Sequence, residues 1–198
     1  MKISDEHRLS KPFMHHFIII DNFYENPYDV REYALKQTYK IPEFPVPGLR
    51  TEIVNDIFNI KEKLSKIIYP NKIINIETGF HLLCKNTNVS FHKDSKHEKR
   101  LAGIIYLNPD ANLQDGTGFF KYKDGTMDAI ELQTTNFEEN THTLFTFDKT
   151  LWTEVSRVGN IFNRLVIFNG IYYHKPLSVF GDNINNGRLI QGFAIDIE

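Results

Sequence analysis

Arg164-Leu165-Val166-Ile167-Phe168-Asn169-Gly170-Ile171-Tyr172-Tyr173-His174-Lys175 sets two apolar segments on either side of Asn169-Gly170. Asn-Gly between such segments is the strongest short-range hairpin signal, because both residues tolerate the positive φ of a type I′ turn. The reading is two antiparallel strands, 164–168 and 171–175, with His174 on the second. Further upstream Ile74, Ile76, Thr78, Phe80, Leu82 and Cys84 alternate with a more polar set, the period of a half-buried strand. Residues 101–107 form an apolar strand, and 117–122, 143–147 and 152–158 are further candidates. Asn185-Asn186-Gly187 marks another turn before a last strand at 188–197.

The first third reads differently. Residues 16–20 suggest a strand. Asn26-Pro27 opens a helix, with Asn as N-cap and Pro at the first helical position, burying Val30, Ala34 and Leu35. Residues 39–48 hold three prolines and read as a loop. Ile53, Ile57, Ile60, Leu64 and Ile67 are spaced by four, three, four and three, which is a helix face that Pro70 ends. Two helices followed by a run of strands predict a mainly β (α+β) fold: an antiparallel sandwich or jelly roll, helices on one outer face. With no repeat, low-complexity tract or linker in its 198 residues, the chain reads as a single domain. Residues 1–72 carry the N-terminal strand and helices, and residues 73–198 the β core.

Composition narrows the possibilities. A net charge of −2 offers no electrostatic ground for binding nucleic acid or a membrane surface. Sixteen phenylalanines suit a β-rich core. The single cysteine, Cys84, excludes an internal disulfide and points to a reducing compartment. No stretch approaches the ~20 apolar residues of a membrane span, and the run Phe17-Ile18-Ile19-Ile20 is too short for a signal-peptide core. The expectation is a cytoplasmic protein.

The residues that carry chemistry are His92-Lys93-Asp94 and His174. A His and an Asp two residues apart share one face of an extended segment, so both reach one metal ion. A second His from another strand completes three ligands and leaves open positions. That is the 2-His-1-carboxylate facial triad of non-haem Fe(II) oxygenases. Arg188 follows His174 by 14 residues (188 − 174) and offers a rigid fork for a carboxylate, such as that of a dicarboxylate co-substrate. Alone, an H-x-D triplet among Lys93, Lys96, Glu98 and Lys99 also fits a solvated loop.

Order and spacing over about 120 residues add weight. Phe91-His92-Lys93-Asp94, Gly103-Ile104-Ile105-Tyr106-Leu107-Asn108, Asp115-Gly116-Thr117-Gly118-Phe119-Phe120, Arg164-Leu165-Val166-Ile167-Phe168 before His174, and Arg188-Leu189-Ile190 succeed one another. Together they resemble the double-stranded β-helix core of the 2-oxoglutarate and Fe(II)-dependent oxygenases, most closely the prolyl-hydroxylase branch. Asp115 stands where that branch has a first glycine. Ile20-Asp21-Asn22-Phe23-Tyr24 and Pro47-Gly48-Leu49-Arg50 resemble uncharacterised members of the same superfamily.

The resemblance implies iron ligands at His92, Asp94 and His174, with Arg188 salt-bridging the distal carboxylate of 2-oxoglutarate. Tyr106 matches a tyrosine that hydrogen-bonds that same carboxylate, although it also reads as a core tyrosine. It implies that 2-oxoglutarate and O₂ react at Fe(II) to give succinate and CO₂, with oxidation of an unactivated C–H bond. Asp94 matters for outcome, since halogenating relatives lack this carboxylate, and its presence favours hydroxylation. Arg164 is a rival anchor, placed at the far end of its strand and better suited to a structural role. His81 sits on the strand leading to the triplet, where it reads as a satisfied core histidine or a pocket residue. His15 and His16 point to opposite faces, His7 and His97 lie in charged segments, and His142 has no acid at ligand spacing. Cys84 reads as a small buried hydrophobe.

The substrate is not legible, and a protein, a peptide or a small molecule all remain open. Its side of the pocket falls to loops at 39–50, with Phe44 and Arg50, and at 123–141, with Asp128, Glu131, Glu138 and Glu139. Two other classes fit the β pattern: a cupin-like metal enzyme that does not use 2-oxoglutarate, and a non-enzymatic jelly-roll binding module. Oligomeric state is not encoded in any pattern here.

Overall fold

The computed structural model describes residues 17–42, 47–54, 58–95, 97–123 and 148–198. The expected strand at 143–147, the acidic residues Asp128, Glu131, Glu138 and Glu139, and Phe44, Ile57, Lys96, His7, His15, His16 and His142 lie outside the described residues.

Two antiparallel sheets carry the chain. The larger has the order β1-β7-β4-β9-β3-β2, formed by β1 (Ile18–Ile20), β7 (Leu165–Asn169), β4 (Arg100–Tyr106), β9 (Arg188–Ile197), β3 (Ile73–Leu83) and β2 (Leu49–Arg50). The smaller has the order β6-β5-β8, formed by β6 (Trp152–Val158), β5 (Thr117–Tyr122) and β8 (Tyr173–Pro176). Side-chain alternation divides the core in two. Leu101 and Ile105 of β4, Leu165 and Ile167 of β7, and Phe193 and Ile195 of β9 pack on one face with Val30, Ala34, Ile60 and Leu64 of the helices. Ala102 and Tyr106, Val166 and Phe168, and Ile190 point the other way, against Phe119 and Val158 of the smaller sheet. The helices α1 (Pro27–Leu35) and α2 (Ile60–Ile67) therefore cover one outer face, and the second core lies between the sheets. No helix among the described residues is long and apolar enough to cross a membrane.

Helix α1 begins at Pro27 as the sequence indicates, although the Asn26 side chain makes no capping bond. Helix α2 is shorter than its isoleucine spacing predicts. Residues 51–54 run along β3 instead, with Thr51 N–H donating to Phe80 O (3.0 Å) and Val54 N–H to Thr78 O (2.9 Å). Phe58 and Asn59 then take positive φ (62° and 54°), which interrupts any helix from upstream, and Ile53 is left 68% exposed.

The Asn169-Gly170 reading is also corrected, since the two residues do not close a hairpin. Strand β7 pairs with β1 and β4 in the larger sheet, whereas β8 pairs with β5 in the smaller one. The positive-φ glycines among the described residues are Gly48 and Gly181, so Gly170 does not adopt the type I′ geometry. Asn169 turns the chain differently: its Oδ1 accepts from Ile171 N–H (3.1 Å) and its Nδ2 donates to Glu98 O (3.0 Å). The segment is a crossover that lifts His174 from one sheet to the other.

Candidate metal centre

That crossover builds the site. Gly170 O accepts both Asp94 N–H and Ser95 N–H (2.9 Å each), while Gly170 N–H donates to Arg100 O (2.9 Å). The loop carrying Asp94 is thus pinned to the turn that precedes β8. His92 is tied to the same strand by a two-way bridge, His92 N–H to His174 O (3.1 Å) and His174 N–H to His92 O (2.9 Å). Contrary to the sequence reading, Asp94 is not in a regular strand, yet the expected convergence occurs.

One ligand atom each from His92, Asp94 and His174 lies within 4.8 Å of the others. His92 Nε2 is 3.8 Å from Asp94 Oδ1, and His174 Nε2 is 3.5 Å from Asp94 Oδ2. The partners that sequence could not supply are main-chain carbonyls. His92 Nδ1 lies 3.0 Å from Ser90 O and His174 Nδ1 3.0 Å from Tyr172 O. A carbonyl only accepts, so both Nδ1 atoms carry the proton and both Nε2 lone pairs face the cluster. Each acceptor is two residues before its histidine, a regularity of extended backbone that composition and spacing do not announce.

Electrostatics suit a cation. Burial, with His174 alongside, pushes the His92 pKa down to about 4, so the imidazole is neutral at pH 7. Burial raises the Asp94 carboxyl, but His174, His92, Arg50 and His81 together outweigh it and hold it below the usual carboxylate range. Two imidazole nitrogens and one carboxylate form a donor set for a divalent transition metal.

The three groups open into a cavity of about 340 Å³ whose walls include Arg188, Thr117, His81 and Arg50. Arg188 is 1% exposed, with Nη1 donating to Asp115 O, Nη2 to Thr117 Oγ1 (3.3 Å), and the guanidinium 5.4 Å from the Tyr106 ring. Its buried Nε has no partner among the described residues. Tyr106 is fully buried behind this wall and donates its hydroxyl to Thr117 Oγ1 (2.8 Å), so it backs the cavity without lining it. Arg164 is elsewhere, bound to Asp21 at 2.6 and 2.9 Å and not among the residues lining the cavity. His81 does line it, with Nε2 3.0 Å from Arg50 Nη1. Sequence reasoning gives Thr117 no role at the site and Gly170 only a turn, while Arg50, expected on a substrate-side loop, lies on β2 and lines the cavity.

Among solved structures the chain is similar to HygX from Streptomyces hygroscopicus with nickel and 2-oxoglutarate bound, at 12% identity and a TM-score of 0.57, covering 91% of this chain and 82% of that one. A prolyl-4-hydroxylase from Pseudomonas putida gives 13% identity and a TM-score of 0.54, covering 92% and 93%. A prolyl hydroxylase from Trichoplax adhaerens, in complex with a hypoxia inducible factor peptide fragment, gives 13% and 0.50, covering 91% and 83%. At such identities the likeness is one of fold: the chain shares its fold with HygX and with these prolyl hydroxylases. No curated protein matches the chain. Residues 85–193, which span both histidines, Asp94 and Arg188, match a family model, and the chain belongs to that family, DUF6445, a family of unknown function.

Proposed function

We propose that this protein is a 2-oxoglutarate- and Fe(II)-dependent dioxygenase that hydroxylates its substrate, on a double-stranded β-helix spanning one domain. The observation that carries the reading is the convergence of His92 Nε2, His174 Nε2 and the Asp94 carboxylate on one point inside a cavity that also holds Arg188. The donor set fits Fe(II), and the unpartnered Nε of Arg188 fits a carboxylate, so the residues present suit both groups. HygX and the prolyl hydroxylases, which share the fold, support the same assignment.

His92, Asp94 and His174 would hold the metal. When bound, Fe(II) and 2-oxoglutarate supply the oxidising chemistry, with succinate and CO₂ as co-products. Ser90 O and Tyr172 O orient the two imidazoles, and such outer partners tune a ligand's basicity as well as its direction. Arg188 anchors the distal carboxylate of 2-oxoglutarate. Thr117 offers a hydroxyl beside it, and Tyr106 steadies both from behind. Asp94 fills the third ligand position, which favours hydroxylation. The substrate is a peptide or a small molecule, as HygX with hygromycin B and the Trichoplax enzyme with its peptide illustrate for their own chemistry. A non-enzymatic binding module would give no reason for the three side chains to meet, and a cupin-like enzyme without 2-oxoglutarate would give Arg188 no ligand.

Calorimetric titration of 2-oxoglutarate tests the reading. Mn(II)-loaded protein should bind it at least about tenfold more tightly than metal-free protein or the Asp94→Ala variant. Equal affinity with and without metal would contradict the assignment.

A further inference from the structure

The proposed function uses Arg188 and the triad, and leaves one cation in the same cavity unemployed. Arg50 lies on β2, paired with His81 of β3, and is half-buried. Its Nη1 is 3.0 Å from His81 Nε2, and its buried Nε has no partner among the described residues. His81 cannot serve as its counter-ion. Burial, reinforced by the Arg50 charge, pushes the His81 pKa down to about 3, so the imidazole is neutral.

The nearby acids are committed. Glu77, on the cavity wall, pairs with Arg100 at 2.8 Å. Glu52 pairs with Lys40 at 2.6 Å. Asp94 is the acid whose field reaches Arg50, and in the proposed function its charge is given to the metal. Among the described residues Arg50 then has no anion. A half-buried guanidinium without one is costly, and such groups are found paired.

The sheet beside Arg50 makes room for the His81 ring. Gly79 and Gly192 are direct cross-strand partners and both line the cavity. A Cβ on Gly192 would meet the His81 ring at 2.5 Å, so only glycine lets that imidazole lie over β9 and steady Arg50. The cavity therefore has two cations on its wall, Arg188 beside Thr117 and Arg50 beside His81, and the triad lines the same cavity.

Resting on the oxygenase reading, we propose that Arg50, steadied by His81, is the substrate-side anion receptor, and that the substrate carries a carboxylate near the carbon that is oxidised. A carboxylate suits the planar fork of Arg50 bidentately.

The test uses three acid and amide pairs as probes: propionate and propionamide, N-acetylalanine and its amide, N-acetylproline and its amide. Each is titrated anaerobically onto the full chain loaded with Fe(II) and 2-oxoglutarate, following perturbation of the visible band and of Trp152 fluorescence. At least one acid should bind about tenfold more tightly than its amide. Arg50→Gln should erase that preference while leaving the affinities for Fe(II) and 2-oxoglutarate within about twofold, and Arg50→Lys should restore part of it. Acids and amides that bind alike, or neither binding, would overturn the proposal, and this comparison needs only the wild-type chain. An Arg50→Gln variant that loses 2-oxoglutarate itself would also overturn it, by making Arg50 a co-substrate anchor. If no Fe(II) and 2-oxoglutarate complex forms in the wild type, the oxygenase reading fails, which is a separate result.

Discussion

Gly170→Ala should damage metal binding although residue 170 touches no metal. A Cβ there would lie 2.8 Å from Arg100 O and 3.0 Å from Ser95 Cβ, against the roughly 3.5–4.0 Å at which carbon atoms pack. Relief needs a movement of about half an ångström, shared between Arg100 O at the start of β4 and Ser95, which belongs to the loop that Gly170 O holds through Asp94 N–H and Ser95 N–H. Functional constellations tolerate about 0.5 Å of misplacement, so the Asp94 carboxylate moves to the edge of useful geometry. Overpacking of this kind costs about 1–3 kcal/mol of stability. In a chain of 198 residues that lowers Tm by roughly 2–4 °C per kcal/mol. Fe(II) affinity should fall by about 10–100-fold, the usual effect of disturbing the groups that orient a ligand. Differential scanning fluorimetry of metal-free protein and anaerobic Fe(II) calorimetry separate the two effects. A variant that loses stability but keeps wild-type Fe(II) affinity would refute the claim that this crossover positions Asp94.

Arg188→Lys keeps the charge but loses the fork, so the apparent affinity for 2-oxoglutarate should fall at least about tenfold with Fe(II) affinity nearly unchanged, by calorimetry; Arg188→Ala should add a loss of stability, because Asp115 O and Thr117 Oγ1 lose their donor. If Arg164→Ala produces the 2-oxoglutarate defect and Arg188→Lys does not, the anchor has been misassigned. Asp94→Ala should abolish Fe(II)-dependent succinate formation with the far-UV circular dichroism intact, and Asp94→Glu, which moves the carboxylate by about 1.5 Å, should be nearly as inactive. Wild-type turnover by Asp94→Ala in chloride-free buffer would reduce Asp94 to a solvated acid. The metal-free protein should be acid-sensitive, since His81 and His92 stay neutral down to about 3 and about 4 while unfolded histidines protonate below about 6.5. The unfolded state therefore binds more protons below that value, and stability is lost as pH falls from about 6.5 toward 4, by up to about 1.4 kcal/mol per pH unit for each histidine. Urea midpoints that coincide at pH 7 and pH 5 would show that these imidazoles protonate freely.

Where the sequence was legible, one physical signal dominated. Thr78, Phe80 and Leu82 alternate because one face of β3 is buried, and a register slip of one residue would expose them all. The H-x-D triplet and His174 were legible because ligand chemistry restricts residue types. Local propensity misled where tertiary contacts overrode it. Asn169-Gly170 has the composition of a type I′ turn, but Asp94, Ser95, Glu98 and Arg100 bind its polar groups and redirect the chain. Ile53 fits a helical period by coincidence, while its neighbours Thr51 and Val54 spend their N–H groups on β3 carbonyls. The roles of Ser90 O and Tyr172 O belong to main-chain atoms, which no side-chain pattern reports. Arg50 was legible as a residue on the substrate side, but its partner was not, because His81 is 31 residues away in sequence and is brought to it by the pairing of β2 with β3.

Anaerobic addition of Fe(II) to the metal-free protein, with and without 2-oxoglutarate, tests the metal and co-substrate assignment together. A weak visible charge-transfer band should develop only when both are present, saturate at one Fe(II) per chain, and be absent from Asp94→Ala. A protein that binds no Fe(II), or binds it with no change of spectrum on adding 2-oxoglutarate, would contradict the assignment of His92, Asp94, His174 and Arg188 to one oxygenase centre.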